Sequence, residues 1–237
     1  MRPVDKGVAP TTYSAYEEAK PDLVSRLGTY CSYCERRLAT HIAVEHIINK
    51  DRDPSLRLVW DNFLLTCVNC NSAKGTKIVS LDTLYFPDRD NTFFAFEYLA
   101  DANIVPSSSL TPAQAIIATD TRALTELNRP IRTFYDANGK RVAIEKISQR
   151  MDVWASAKRS RDNLSRCCTD AMRDQIVISA LAEGFFSIWM TVFEGDAEMR
   201  NRFITEFTGT AKDCFDPITT APISPRSKNH LAHSGKI

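Results

Sequence analysis

The sequence predicts an α+β chain that is mostly α, in which a small stapled module of two short strands and a helix precedes a helical C-terminal region. Three observations predict it. Two Cys-x-x-Cys pairs, Cys31/Cys34 and Cys67/Cys70, bracket or close a segment whose apolar runs, "HIAVEHII" and "NFLLTC", are too brief for independent helices. Beyond residue 111 the apolar residues recur at helical spacing instead. The 237 residues are 43% hydrophobic and 25% charged, which suits one large or two modest folded domains and excludes disorder as the main state.

The elements follow in order. Residues 1–29 begin as Pro-containing coil and continue as a short helix around 13–27, with Pro21 near a break or restart. The motif region runs from 29 to about 77. The stretch "LYFPDRDNTFFAFEYLADANIVPSS" is aromatic-rich and punctuated by Pro87 and Pro106, which predicts irregular structure with one or two strands. Thr111 is an N-cap candidate with Pro112 at the first helical position, and Ile116, Ile117, Leu124 and Leu127 give a helix of about four turns. Residues 140–166 and 170–194 read as two longer helices, the second apolar enough to be largely buried, with a cap at Thr169 or Asp170 between them. A last helix over 196–207 stops at Gly209. The expected division is a module at 1–90, a helical domain at 91–215 that binds a partner, nucleic acid or both, and a flexible Pro/Ser/Thr-rich tail at 216–237.

Charge gives no global signature of a nucleic-acid partner, because 30 Lys and Arg face 29 acids for a formal net charge of +1. The basic residues are uneven, however. Residues 129–173 carry a clear excess of Lys and Arg over acids. That excess is either a solvated helix face or a stripe for phosphates, and Arg141, Arg150, Lys158 and Arg159 are the candidates for backbone binding. No apolar run approaches a membrane span and the N-terminus lacks an apolar leader, so a cytoplasmic protein without membrane contact is expected. In that reducing setting the seven cysteines read as metal ligands or free thiols. Cys167, Cys168 and Cys214 have no ligand-spaced companions and are expected to be buried or inert.

Four thiolates in two such pairs are what a tetrahedral structural Zn2+ requires, and closing the long loop between them lets a small module fold without a large core. This zinc is expected to do no catalysis. Inside the loop stand Glu45-His46 and then Trp60-x-Asn62-Phe-Leu-Leu; after it comes Cys67-x-x-Cys70-Asn71-x-x-Lys74-Gly75. In that order these residues resemble the HNH endonuclease family, of ββα-metal fold, in its zinc-stabilised form. The opening "MRPVDKG", the "YCSYCE" knuckle and the helical extension further resemble the HNH nuclease subunits of Septu-type and retron-associated anti-phage systems. That second resemblance implies an ABC-type ATPase subunit as partner and a nucleic acid as substrate.

The chemistry is arguable from the residues as well. Neighbouring strand side chains face opposite ways, so Glu45 and His46 are able to divide the labour. Phosphodiester hydrolysis needs a deprotonated water, neutralised non-bridging oxygens and a stabilised leaving oxygen. His46 suits the first task as general base. Glu45 and Asn71 offer oxygen ligands to a catalytic Mg2+ or Mn2+. The family resemblance assigns Asn62 to orienting the histidine or its loop, and Lys74 is a candidate phosphate contact. Each has a plainer reading: His46 as a packed strand-end histidine, Asn62 as a turn cap, Lys74 and Gly75 as a helix C-terminal cation and stop. Asn71 stands where many family members have histidine, and Glu45 where many have aspartate.

The leading expectation is a metal-dependent endonuclease, DNA favoured over RNA, acting as effector of an ATPase-coupled defence complex. An RNA- or tRNA-cleaving nuclease and a non-catalytic zinc module that binds a protein partner are the alternatives.

Overall fold

In the computed structural model, which describes residues 1–129 and 146–237, the strand-strand-helix order expected around the cysteines is realised. A 3-10 turn at Tyr16–Glu18 leads into helix α1, Ala19–Leu27, so the break expected near Pro21 within 13–27 falls a few residues earlier, at Glu18 and Ala19. Glu18 explains the start: its carboxylate accepts from the Ser14 and Ala15 backbone N–H groups at 2.9 and 3.3 Å. Pro21 falls in the first turn of α1, where its missing N–H has no helical partner to lose. Leu23 and Leu27 bury the inner face of α1 against strands β1, Ile42–His46, and β2, Phe63–Cys67.

β1 and β2 pair antiparallel, with Glu45 opposite Leu64 and His46 opposite Phe63. All five residues of β2 are buried, so this strand is the floor of the module. Helix α2, Val68–Lys74, begins at once after it, and the Cys67 sulfur caps that start by accepting from the Cys70 N–H at 3.4 Å. The aromatic segment gives a short helix α3, Thr92–Ala95, and a two-stranded antiparallel sheet of β3, Phe96–Tyr98, and β4, Ile104–Pro106.

The helical half contains α4, Pro112–Leu124, opened by the expected Thr111 cap, which forms a full capping box with Gln114. Then come α5, Lys146–Arg166, and α6, Asp170–Glu183, whose Thr169 cap accepts from the Met172 N–H at 3.2 Å. The expected start of α5 at residue 140 lies outside the described residues. The single helix expected over 170–194 is two: α6 stops at Glu183 and α7 occupies Phe186–Val192. The break has a steric cause. Gly184 (φ +79°) passes so close to the first cysteine knuckle that a Cβ there would lie 2.7 Å from the Arg37 nitrogen and 2.8 Å from the Glu35 carbonyl oxygen. Phe185 N–H then donates to that same Glu35 carbonyl at 2.9 Å. Helix α8, Ala197–Glu206, is capped by Asp196 and completes the bundle.

One hydrophobic cluster runs from Met1 to Ile237, across the expected boundary at residue 90. Its centre is α7, where Phe186, Ile188, Trp189, Met190 and Val192 are all buried. The Glu35 carboxylate joins the halves from inside: it accepts from the Ser187 N–H at 2.8 Å, the Ser187 hydroxyl at 2.6 Å and the Tyr98 hydroxyl at 3.1 Å.

Residues 216–237 differ from the flexible tail expected of their composition. Arg226 pairs with Asp213 at 3.1 Å and donates to the Val4 carbonyl at 3.1 Å; Lys236 pairs with Asp90 at 2.9 Å; Leu231 and Ile237 are buried. A few anchoring side chains among many Pro, Ser and Thr suffice to lay the segment down, and composition averages over them.

Gly184→Ala is expected to destabilise the chain by about 1–3 kcal/mol, because a side chain is forced both into positive φ and onto the knuckle backbone. A urea titration of the variant beside the parent measures it; an unshifted midpoint would show that the two halves are not in close contact there.

Candidate active site

The site is built on the four cysteines. The first knuckle turns tightly, with Cys31 N–H donating to the Arg36 carbonyl at 3.0 Å and Glu35 N–H to the Cys31 carbonyl at 2.9 Å. Ser32 N–H donates to the Leu65 carbonyl at 2.8 Å, which ties that knuckle to β2. Cys67 ends β2 and Cys70 lies in the first turn of α2, so all four sulfurs converge, buried, within 4.8 Å of one another. Cys34 and Cys67 sulfurs are 3.8 Å apart. A tetrahedron with sulfur about 2.3 Å from its centre has edges of about 3.8 Å, so the donor set and its spacing fit a four-coordinate zinc ion.

From this staple β1 and α2 are placed against each other. Strand alternation sends Glu45 and His46 to opposite faces, as the sequence predicts. The partners are not the expected ones. The Glu45 carboxylate is 2% exposed and forms a 2.7 Å ion pair with Lys74, itself 2% exposed. Lys74 also donates to the His46 backbone carbonyl at 2.7 Å. Lys74 is therefore not a phosphate contact in this arrangement: as a buried cation it must be paired, and Glu45 with one carbonyl supplies the pairing. Glu45, expected as a ligand of a catalytic ion, is turned inward to the same pair. Burial pushes its carboxyl up to about 7 despite the neighbouring ammonium.

His46 lies on the other face of β1. Its ring, 8% exposed, stands edge-on to Phe63 at 5.2 Å and to Tyr16 at 4.9 Å between centroids. Nε2 lies 3.0 Å from the Arg57 carbonyl oxygen, which only accepts, so Nε2 carries the hydrogen and Nδ1 of the neutral ring holds the lone pair. Burial lowers the His46 pKa, and the charges of Lys50, Lys74 and Arg57 lower it further against the opposing carbonyl bond. A neutral imidazole at pH 7 follows.

Asn62, buried, acts on the histidine loop. Its Oδ1 accepts from Ile48 N–H at 2.8 Å, while its Nδ2 donates to the Ile48 carbonyl at 2.9 Å and the Leu56 carbonyl at 3.3 Å. Both ends of the segment between His46 and Arg57 are thereby clamped to the start of β2. Asn71 lies one turn before Lys74 on α2, half-buried, and its side-chain amide has no hydrogen bond among the described residues. It is the oxygen donor that the fold leaves available.

The basic stripe is only partly present. Arg141 lies outside the described residues. Arg150 is fully buried and donates to the Ala102 carbonyl at 2.6 Å, the Leu127 carbonyl at 3.0 Å and Asn128 Oδ1 at 3.2 Å, so it braces the fold and faces no ligand. Lys158 and Arg159 are exposed, and Arg159 joins Arg36 and Arg37 along an open cleft of about 580 Å³. Of the three cysteines expected to be buried or inert, Cys214 is buried, with its thiol pushed up to about 12, whereas Cys167 and Cys168 are exposed. Sequence reasoning passed over Tyr16, Lys50 and Arg57 around His46. Lys50 and Arg57 stand in the motif loop, whereas nothing local marks Tyr16, which reaches the site only through the packing of α1 on the sheet.

Residues 31–77 match the family model described as HNH endonuclease. A curated relative described as "Septu protein PtuB", from Bacillus thuringiensis, is 45% identical over 57 residues, which is 23% of this chain and 22% of the relative. The chain thus matches about a fifth of the length of that relative.

Two outcomes test the site. Stripping metal with a strong chelator is expected to release the knuckles and melt the module, visible as lost β1–β2 amide protection and as a proton-coupled fall in thermal stability. The Glu45 carboxyl, raised from 4.5 to about 7 in the fold, binds its proton more tightly folded than unfolded, so its contribution is full below about pH 4.5 and is lost as pH rises to about 7. Stability measured across that window is expected to fall more steeply for the parent than for Glu45→Gln; equal slopes would refute the buried placement.

Proposed function

We propose that the chain is a metal-dependent HNH endonuclease that hydrolyses phosphodiester bonds in nucleic acid, DNA before RNA, as the effector of a Septu-like anti-phage complex in the cytoplasm with an ABC-type ATPase subunit. The observation that carries the chemistry is the 3.0 Å contact of His46 Nε2 with the Arg57 carbonyl, which leaves the lone pair of the neutral ring on Nδ1, able to take a proton from an attacking water. The family model over 31–77 supports the reaction class, and the relative's name supports the defence setting.

In this reading the zinc-bound knuckles hold β1 against α2, Asn62 fixes the loop that supplies the Arg57 carbonyl, and Nδ1 of His46 takes the proton of the attacking water. Asn71 contributes an oxygen ligand for Mg2+ or Mn2+, which when bound supplies neutralising charge to the non-bridging and leaving oxygens. Lys158 and Arg159 provide exposed cations for the phosphate backbone. The Glu45–Lys74 pair favours one rival: with Glu45 turned inward, the metal site loses a carboxylate, as a non-catalytic zinc scaffold for a protein partner would tolerate.

Purified chain, alone and with the ATPase, is expected to nick plasmid DNA with Mg2+ or Mn2+, and His46→Ala to lose a factor of about 10²–10⁴ in rate while remaining folded. Activity is expected to hold down to pH values below 6.5, the ordinary histidine value, because the lowered pKa keeps the base free. Cleavage by His46→Ala at the parent rate excludes this base; absence of hydrolysis with any divalent ion selects the scaffold.

A further inference from the structure

The cations around His46 differ in what holds them. Lys74 is buried and committed to Glu45 and the His46 carbonyl. Lys50 is half-buried and makes no close ion pair among the described residues; the carboxylate of the exposed Glu17, held below the usual range first by the Tyr16 hydroxyl, feels its charge from farther off. Its ammonium instead sits 4.1 Å from the centroid of the Tyr16 ring, the same ring that stands 4.9 Å from the imidazole of His46. A π-face holds an ammonium without taking its N–H donors, so all three stay available to an anion.

The loop that carries Lys50 is fixed on several sides. Asn62 clamps Ile48 through both N–H and C=O. Asn49 Nδ2 donates to the Gly75 carbonyl at 3.4 Å, and Arg52 Nε to the Thr76 carbonyl at 3.3 Å, which binds the loop to the turn after α2. Asn49 also caps its own turn, accepting from Asp51 N–H at 2.7 Å. The ammonium is thus held in place before any substrate arrives, a condition for binding a phosphate without paying again for the ordering of a long side chain.

We propose that Lys50, seated on Tyr16 beside His46, is a substrate phosphate-binding cation of this site, and that Tyr16 is its positioning residue. The assignment of the phosphate to a nucleic-acid backbone rests on the nuclease reading. It replaces Lys74 in the role expected of it, and it makes the N-terminal segment a working part of a site whose other residues lie within the cysteine module.

The test uses the full zinc-loaded chain and a fluorescent DNA duplex with its RNA counterpart, titrated over a range of salt without added catalytic ion. Lys50→Gln is expected to weaken binding roughly tenfold or more, as loss of a charge-assisted contact does, and to lower the salt slope of log affinity by about one. Tyr16→Leu is expected to reproduce that loss, and Tyr16→Phe, which keeps the ring, to bind as the parent does. Parent-like affinity and slope for Lys50→Gln overturn the proposal, as does Tyr16→Phe proving as damaging as Tyr16→Leu. If the parent cuts neither DNA nor RNA with any divalent ion while Lys50→Gln still weakens binding, the nuclease reading falls and the phosphate site stands. A parent chain that binds neither duplex overturns both.

Discussion

Convergence of four thiol sulfurs at one buried point is the constraint from which the rest of the site follows. Cys31 and Cys34 come from a turn with little regular structure, Cys67 from the last residue of β2 and Cys70 from the first turn of α2. A metal ion there removes the freedom of a turn, a strand and a helix together. Because Asn71 follows Cys70 and Lys74 lies one turn on, the same staple sets where α2 meets the end of β1. The knuckle is also the point at which the helical half docks, through the Glu35 carboxylate and the close pass of Gly184. One cluster therefore governs both the interior of the module and its seat on the remainder of the chain.

The period of a β-strand then divides the chemistry. Adjacent residues Glu45 and His46 are separated by the sheet, one turned to a buried cation and the other packed between the rings of Tyr16 and Phe63. The inward pair has a structural result of its own, since Lys74 joins the Glu45 side chain to the His46 main chain and so holds the strand tip to α2 from below. Above the sheet, Asn62 fixes the loop and the Arg57 carbonyl sets the tautomer of the ring. A single histidine is held from its backbone, its ring nitrogen and both flanking rings, which is what a general base needs if its proton transfer is to be fast.

What was legible in the sequence is what local chemistry dictates. The cysteine pairs, the strand ending at His46, the strand at "NFLLT", the helix starting at Cys67 and the Thr111-Pro112 helix start all carry short-range signals of ligand spacing, alternation or capping, and the structure has each of them. The misreadings share a different cause. Lys74 and Arg150 look like free cations because the acid or carbonyls that bury them come from elsewhere, 29 residues away for Glu45 and 48 for Ala102. The break at Gly184 is set by the backbone of residues 35–37, far off in the chain, and the laid-down C-terminal segment by Asp88, Asp90 and Asp213. Long-range pairing of polar groups leaves no periodic mark, so a pattern of residue types assigns such groups to the solvent by default.

A chain with a net charge of +1 cannot draw a polyanion by its overall field, so any grip on phosphate must come from cations that the fold places and leaves unneutralised. The buried pairs show how readily this fold neutralises the others: Lys6 with Asp88, Lys74 with Glu45, Lys236 with Asp90. Lys50 is in no close ion pair among the described residues: the group beneath it is an aromatic face, which attracts a cation without cancelling its charge, and the Glu17 carboxylate that feels that charge is solvent-exposed. The ring belongs to the segment before α1, outside the stretch of residues 31–77 that matches the nuclease family model. A site confined to that stretch would keep its histidine and its staple and lose the surface that holds the cation next to them, so the N-terminal segment and the module have to be understood as one unit.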